Sequence, residues 1–387
     1  MRPRQIGRTI ATLALLALAA WFLVRFHQEK LYGTGPDPAS RLARTDILAA
    51  AVGLHPTNPL LDAARQFGDL SNFPERLTPL KVAGGMLLFA LLVGDSLLRL
   101  VAPATMRRPL ARLVFAYGLG TGATSLLILG LGLVGKLGKA RPDYLLYGAA
   151  ALWSLSLLRR APRPEGEPTE DNERAGMLAP AVLLFAAPFL VLSLCSALLP
   201  TPDYDSLAYH LLAPKEWWER GKIEFLPHNV YAAFPFLAEM YHLAGMHLAG
   251  DWFLGGVTGQ AYLWTFAAMG AVATGALTAN LFGLRAGWIA FFLYATTPWT
   301  FRLAAIPYVE GATLYFLAAG LLAARLGQQA VGGAAFVAGA MAGCAAACKY
   351  TNILMVVPPL AVLTIAASER QRWLRVTLAF GLGAALM

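Results

Sequence analysis

The run Leu178 to Leu199, LAPAVLLFAAPFLVLSLCSALL, passes almost directly into Thr201 to His210, TPDYDSLAYH. The first stretch is apolar and long enough, as a helix, to cross a hydrocarbon core of about 30 Å. The second places two carboxylates, two tyrosines and a histidine at one end of that span. A segment rich in Trp, His and Pro follows, to about residue 252, and then further apolar runs. Polar chemistry is thus concentrated at one boundary of a greasy chain.

Composition agrees with that reading. Of 387 residues, 57% are hydrophobic and only 14% are charged, whereas a soluble domain has about 25% charged residues. Mean hydropathy is +0.55. The fold class expected is an all-α polytopic membrane protein. About eleven spans are read from the length rule, near 9–24, 80–101, 112–134, 143–158, 178–199, 253–282, 286–303, 309–326, 331–348, 351–367 and 374–387. The alternating segments of an outer-membrane barrel are not present. A net charge of +9 does not point to nucleic acid. The cations form short clusters between apolar runs, at Arg107, Arg108 and Arg112, at Arg159, Arg160 and Arg163, and at Arg370, Arg372 and Arg375. Positive-inside topology signals are laid out in this way.

Alternation from a cytoplasmic Arg-rich start at Met1–Arg8 gives a map. Ala17-Leu18-Ala19 resembles a cleavage site, but the run continues through Val24, so an uncleaved anchor is expected. The loops near 26–78, 136–143, 200–252, 307–310 and at Lys349 fall outside. The loops carrying Arg107, Arg159, Arg285, Arg325 and Arg370 fall inside. Three parts follow: an accessory transmembrane region over 1–160, a charged, Pro-rich cytoplasmic linker over 161–177, and a transmembrane core over 178–387. The chain reaches Met387 within an apolar run, so the core is expected to be C-terminally incomplete.

Several residues carry chemistry. Asp203 and Asp205 stand at the outer end of a span. Aspartate is favoured at helix N-caps, so Asp205 reads as the cap or first-turn residue of an interfacial amphipathic helix. Helical spacing would then set Asp205, Tyr209 and the region of Leu212 on one side. Glu310, after Ile306-Pro307-Tyr308-Val309, begins a span, where a carboxylate is costly unless it is paired, functional or placed on a helix dipole. Lys349 lies between two apolar runs on the outer face, against the positive-inside trend. It suits a phosphate or an ion pair, with snorkelling as the plainer reading. Glu239 is a further boundary acid. His210, His228, His242 and His247 cluster in the 200–250 segment, but without a zinc-ligand pattern. Cys195, Cys344 and Cys348 read as apolar filler.

These motifs carry a resemblance. DYDSLAYHL at 203–211, Pro214-Lys215, Asn229-Val230-Tyr231, Phe234-Pro235 and Ala238-Glu239-Met240 resemble the first external loop of bacterial GT-C glycosyltransferases. The branch they resemble is the phospholipid-carrier-dependent one, similar to dolichyl-phosphate-mannose protein mannosyltransferases. Pro307-Tyr308-Val309-Glu310 resembles that branch's second acidic motif, in which Asp is commoner. Ala342-Gly343 with Lys349-Tyr350-Thr351 resembles its small-residue helix ending. The likeness covers about 178–387. It implies a cell inner-membrane enzyme that transfers a sugar, with inversion, from a polyprenyl-phosphate donor to a lipid, glycan or protein acceptor on the non-cytoplasmic face. Asp205 or Asp203 would be the general base, with Asp205 in the better-matching context. Glu310 would orient the acceptor or help hold a divalent ion, and no other cofactor is implied. Lys349 would neutralise the lipid phosphate. Tyr209, His210, Glu239, Tyr308 and Tyr350 would contact substrate. An apolar wall of Trp217, Trp218, Tyr231, Phe234 and Tyr308 would face the lipid.

Two other classes fit the same composition. One is a lipid-linked-sugar transporter or flippase, which would show an internal repeat with broken helices; the sequence shows no such repeat. The other is a non-catalytic membrane assembly partner.

Overall fold

The computed structural model describes residues 17, 21, 73–137, 142–157, 178–201, 203–329 and 333–387. The expected anchor at 9–24, apart from residues 17 and 21, and the linker at 161–177 lie outside the described residues. The chain divides into two compact units, Met1–Glu75 and Arg76–Met387. The second unit holds all the features below.

Its elements are helices, with no strand among the described residues. In chain order they are α1 (Phe73–Val101), α2 (Pro109–Leu133), α3 (Pro142–Leu157), α4 (Leu178–Ala197), α5 (Leu212–Arg220), α6 (Met240–Ala249), α7 (Trp252–Phe282), α8 (Leu284–Thr296), α9 (Pro298–Ala305), α10 (Glu310–Gln328), α11 (Ala334–Cys348), α12 (Asn352–Met355), α13 (Val357–Ala366) and α14 (Trp373–Ala385). Four of them, α1 from Arg76, α2, α4 and α7, are long and apolar enough to cross a membrane. The pair α9 and α10, bent by 119°, makes a fifth if it is counted as one span. The expectation of about eleven is therefore met only in kind. Two expected spans are broken, and prolines mark both breaks. Pro298 divides 286–303 into α8 and α9, and Pro358 lies at the start of α13 within 351–367. Proline lacks the amide a continuing helix needs and restricts the residue before it.

Four fully buried tyrosines, Tyr117, Tyr241, Tyr262 and Tyr315, form the centre with Phe266 and Phe316. A buried hydroxyl needs a partner, and these find theirs on other helices. Tyr117 pairs with Thr265 at 2.6 Å, Tyr241 donates to the Thr121 carbonyl at 2.8 Å, and Tyr315 donates to the Val114 carbonyl. The network joins α2 to α6, α7 and α10.

A second polar knot ties α1, α2 and α3. Asp95 accepts from Arg99 at 3.0 Å, from Arg112 at 2.7 Å and from the Trp153 indole at 2.9 Å. Pairings also sort the helix ends into two sets. At one, Arg76 donates to the Leu198 carbonyl, and the Ile223 amide donates to the Gly132 carbonyl. At the other, Arg108 and Asn280 both meet Gln329.

Small residues set a close helix approach between α11 and α14. A Cβ on Gly339 would lie 1.9 Å from the Phe380 carbonyl oxygen, and one on Gly383 would lie 2.2 Å from that of Phe336. Gly311 serves no such approach: a Cβ there would meet nothing within 4 Å. Gly339→Leu should therefore lower the thermal midpoint in detergent, at a cost of about 1–3 kcal/mol or more for overpacking. Gly311→Ala should leave it unchanged. Equal melting of the two variants would contradict the assigned contact.

Candidate functional site

Three interruptions of helix build the site. The first follows α4, whose run ends at Pro200. The Asp203 amide donates to Thr201 Oγ1 at 3.2 Å. The chain then makes a single π-helical turn, Ser206–His210, in which the Leu211 amide reaches the Ser206 carbonyl at 2.9 Å. One extra residue per turn is an insertion that recurs at functional sites. The second is Ile306–Val309, between α9 and α10, where Pro307 forces its predecessor into extended backbone. The third is Lys349–Thr351, after α11. There the Ala347 carbonyl accepts the Leu237 amide at 3.0 Å, which pins the 234–239 loop against the end of that helix.

Asp205 does not cap. Its backbone is helical and its side chain makes no capping bond. It is exposed, with no hydrogen bond or ion pair among the described residues. The π turn also overturns the simple spacing, because Leu212 faces a different cleft from Tyr209. Asp203, by contrast, is engaged. It accepts from Arg302 at 2.9 Å and from the Tyr308 hydroxyl. Arg302 was not singled out from sequence, although a cation inside the apolar run 286–303 was the signal available.

Glu310 opens α10, where negative charge is favoured. Its Oε1 lies 2.7 Å from Lys349 Nζ, and its Oε2 is buried with no hydrogen-bond partner among the described residues. Asn352, also missed from sequence, sits behind Lys349. It donates to Thr313 Oγ1 at 3.0 Å and to the Ala345 carbonyl at 2.7 Å. Glu239, at the start of α6, is fully buried, and its Oε1 lies 2.7 Å from His210 Nδ1.

Aromatic rings join these groups. Tyr209 stacks on Tyr231 at 5.2 Å and meets Phe234 at 6.2 Å, and Phe234 meets Tyr350 at 5.8 Å. The Tyr350 hydroxyl donates to the Ala233 carbonyl at 2.8 Å. The His210 ring lies 4.1 Å from that of Tyr209 and 5.3 Å from that of Tyr308. Tyr231, Phe234 and Tyr350 are exposed and form an apolar surface beside the acids. The two tryptophans expected in that wall are elsewhere. Trp217 is buried against Phe236, and its indole donates to the Glu224 carbonyl at 2.8 Å. Trp218 packs on His247. On the far side of the π turn, Leu207, Leu211, Leu212, Trp252 and Phe253 line a separate apolar cleft of about 280 Å³. Lys215 borders it, lying over the Trp252 ring at 4.4 Å.

The electrostatics show one field. Burial raises the Tyr209 phenol to about 12, and the carboxylates of Asp205, Glu239 and Glu310 each add to the shift. Burial also pushes Glu239 above the usual carboxylate range, against the pull of His210. Among the described residues no three His, Cys, Asp or Glu side chains converge as metal ligands.

Comparison with family models, with curated proteins and with solved structures gives no match to this chain. The functional reading therefore rests on the residues themselves.

Removing a neighbouring negative charge makes a phenolate easier to form. Asp205→Asn should therefore lower the Tyr209 midpoint from about 12. Glu310→Gln should do the same. The measurement is an alkaline titration followed by the tyrosine ring carbons in NMR. An unmoved midpoint in both variants would contradict the shared field.

Proposed function

We propose that this chain is a GT-C-like glycosyltransferase of the inner membrane, using a sugar on a polyprenyl phosphate and acting at the non-cytoplasmic face. One observation supports this reading most. Residues of three separate motifs, 105 positions apart between the first and second and 39 between the second and third, come together: Asp203 and Asp205, then Tyr308 and Glu310, then Lys349 and Tyr350. These are the positions the resemblance singles out.

Within that reading, the geometry favours particular roles. Asp203 would have to leave Arg302 and Tyr308 to accept a proton, whereas Asp205 is unengaged. Asp205 is thus the better general base for an acceptor hydroxyl, since a base must come within hydrogen-bond reach of the proton it takes. Lys349 and Glu310 are partly exposed, with side chains at 50% and 35%. An ion pair of that kind contributes under about 1 kcal/mol. A lipid phosphate can therefore displace Glu310 from Lys349 at small cost and gain the cation. The exposed rings of Tyr231, Phe234 and Tyr350 suit the first isoprene units behind that phosphate. More than four or five spans would follow if the short apolar helices α11, α12–α13 and α14 also lie in the membrane.

Purified protein incubated with polyprenyl-phosphate sugars of several kinds and a mixed pool of hydroxylated lipid and glycan acceptors should release free polyprenyl phosphate as the sugar passes to an acceptor hydroxyl. Asp205→Asn should reduce that release at least about 10²-fold, the lower end for general-base catalysis. Lys349→Met should weaken donor binding. Release unchanged in both variants, or none with any donor, would remove the enzyme reading.

A further inference from the structure

The buried pair formed by His210 and Glu239 has a geometry that the roles above do not use. Glu239 is 1% exposed and His210 is 3% exposed. Glu239 Oε1 and His210 Nδ1 are joined at 2.7 Å. Glu239 Oε2 is sealed, with no hydrogen-bond partner among the described residues. The pair therefore has one polar atom left to offer, the second ring nitrogen of His210. Nε2 has no hydrogen-bond partner among the described residues either, and in an imidazole it faces away from Nδ1. The ring lies between Tyr209 and Tyr308, and the Tyr308 hydroxyl is bound to Asp203. Nε2 thus belongs to the same cluster as the acid-bearing turn.

We propose that Glu239 is a positioning residue acting through His210, holding Nδ1–H so that Nε2 is presented to the site as a hydrogen-bond acceptor for a substrate hydroxyl. This rests on the glycosyl-transfer reading for the identity of the substrate, but not for the geometry of the dyad. The physical logic is that of oriented imidazoles generally: a carboxylate on one nitrogen fixes the tautomer and decides what the other nitrogen can do. With Nδ1–H donated to Glu239, Nε2 carries a lone pair. A proton taken up from the site can enter only at Nε2, and the buried carboxylate then balances the imidazolium. The donor-or-acceptor character of Nε2 is set by that one proton. Sugars and hydroxylated acceptors both present O–H groups suited to the unprotonated form.

The groups around the ring are those that must be held constant in a test. They are Tyr209 on the π turn, Tyr308 between α9 and α10, Glu239 and His242 at α6, Glu310 at the start of α10, and Cys348 at the end of α11; Glu310 and Cys348 both interact with Glu239. The informative change is Glu239→Gln. It keeps an oxygen able to accept from Nδ1–H but removes the charge.

The experiment is ¹⁵N NMR of histidine-labelled full chain in lipid nanodiscs, with the His210 signals assigned by their loss in His210→Gln. The proposal expects the Nδ1–H tautomer at neutral pH. It expects Glu239→Gln, whose amide can donate to Nδ1 as well as accept from it, to bring in the Nε2–H tautomer. It also expects polyprenyl-phosphate release to fall in that variant, with the effect on KM separating a donor hydroxyl from an acceptor hydroxyl. An Nε2–H tautomer in the unmodified protein at neutral pH would overturn the proposal, as would a tautomer unmoved by Glu239→Gln. If the NMR behaves as expected and no sugar is ever released, the dyad stands and the transfer reading fails.

Discussion

A helix buried in hydrocarbon satisfies its own backbone, but a helix that stops there does not. Each end leaves amides and carbonyls that need partners, and in an apolar medium water is not available to supply them. Interruptions are therefore tolerated only where side chains or other loops complete them. In this chain three interruptions meet, after α4, between α9 and α10, and after α11. The Thr201 hydroxyl and Asn352 each complete the break they belong to, and the carbonyl of Ala347 accepts from the 234–239 loop. The polar residues are gathered because the breaks are, and the charged groups occupy the space so formed.

Within that space the carboxylates are differentiated by their surroundings. Asp203 is held by a guanidinium and a phenol, and Glu310 by an ammonium at a helix start. Glu239 is sealed with an imidazole, and Asp205 stands free at the rim. Four acids of similar intrinsic strength thus have different tasks open to them. The pairing also limits mutual repulsion, since three of the four have a nitrogen partner at hydrogen-bond distance. The phenol of Tyr209 registers the field that remains.

Much of this was legible in the sequence, and the reasons for the rest are physical. Apolar run length reveals membrane helices but not where a proline will split one, so 286–303 reads as one span where the chain makes α8 and α9. The acids and the lysine stand out because charge is rare in such a chain. Their partners are less visible. Arg302 looks like an isolated cation until the fold sets it on Asp203, and Asn352 looks like an ordinary boundary polar residue. Periodicity fails locally at the π turn, where one inserted residue brings Leu212 to the cleft of Leu207 and Leu211, although ideal spacing would set it beside Tyr209. Trp217 illustrates the converse error. A tryptophan near a boundary reads as an interfacial anchor, but here it fills the core below the loop.

The central claim is that the three breaks form one site on the non-cytoplasmic face. Cysteine accessibility tests it most directly. In a background with Cys195, Cys344 and Cys348 replaced, single cysteines would be placed at the exposed positions Tyr204, Thr351 and Gln328 and treated in intact cells with a membrane-impermeant maleimide. Tyr204→Cys and Thr351→Cys should both label from outside, and Gln328→Cys only after the cells are permeabilised. Labelling of positions 204 and 351 from opposite sides, or of both only after permeabilisation, would contradict the account.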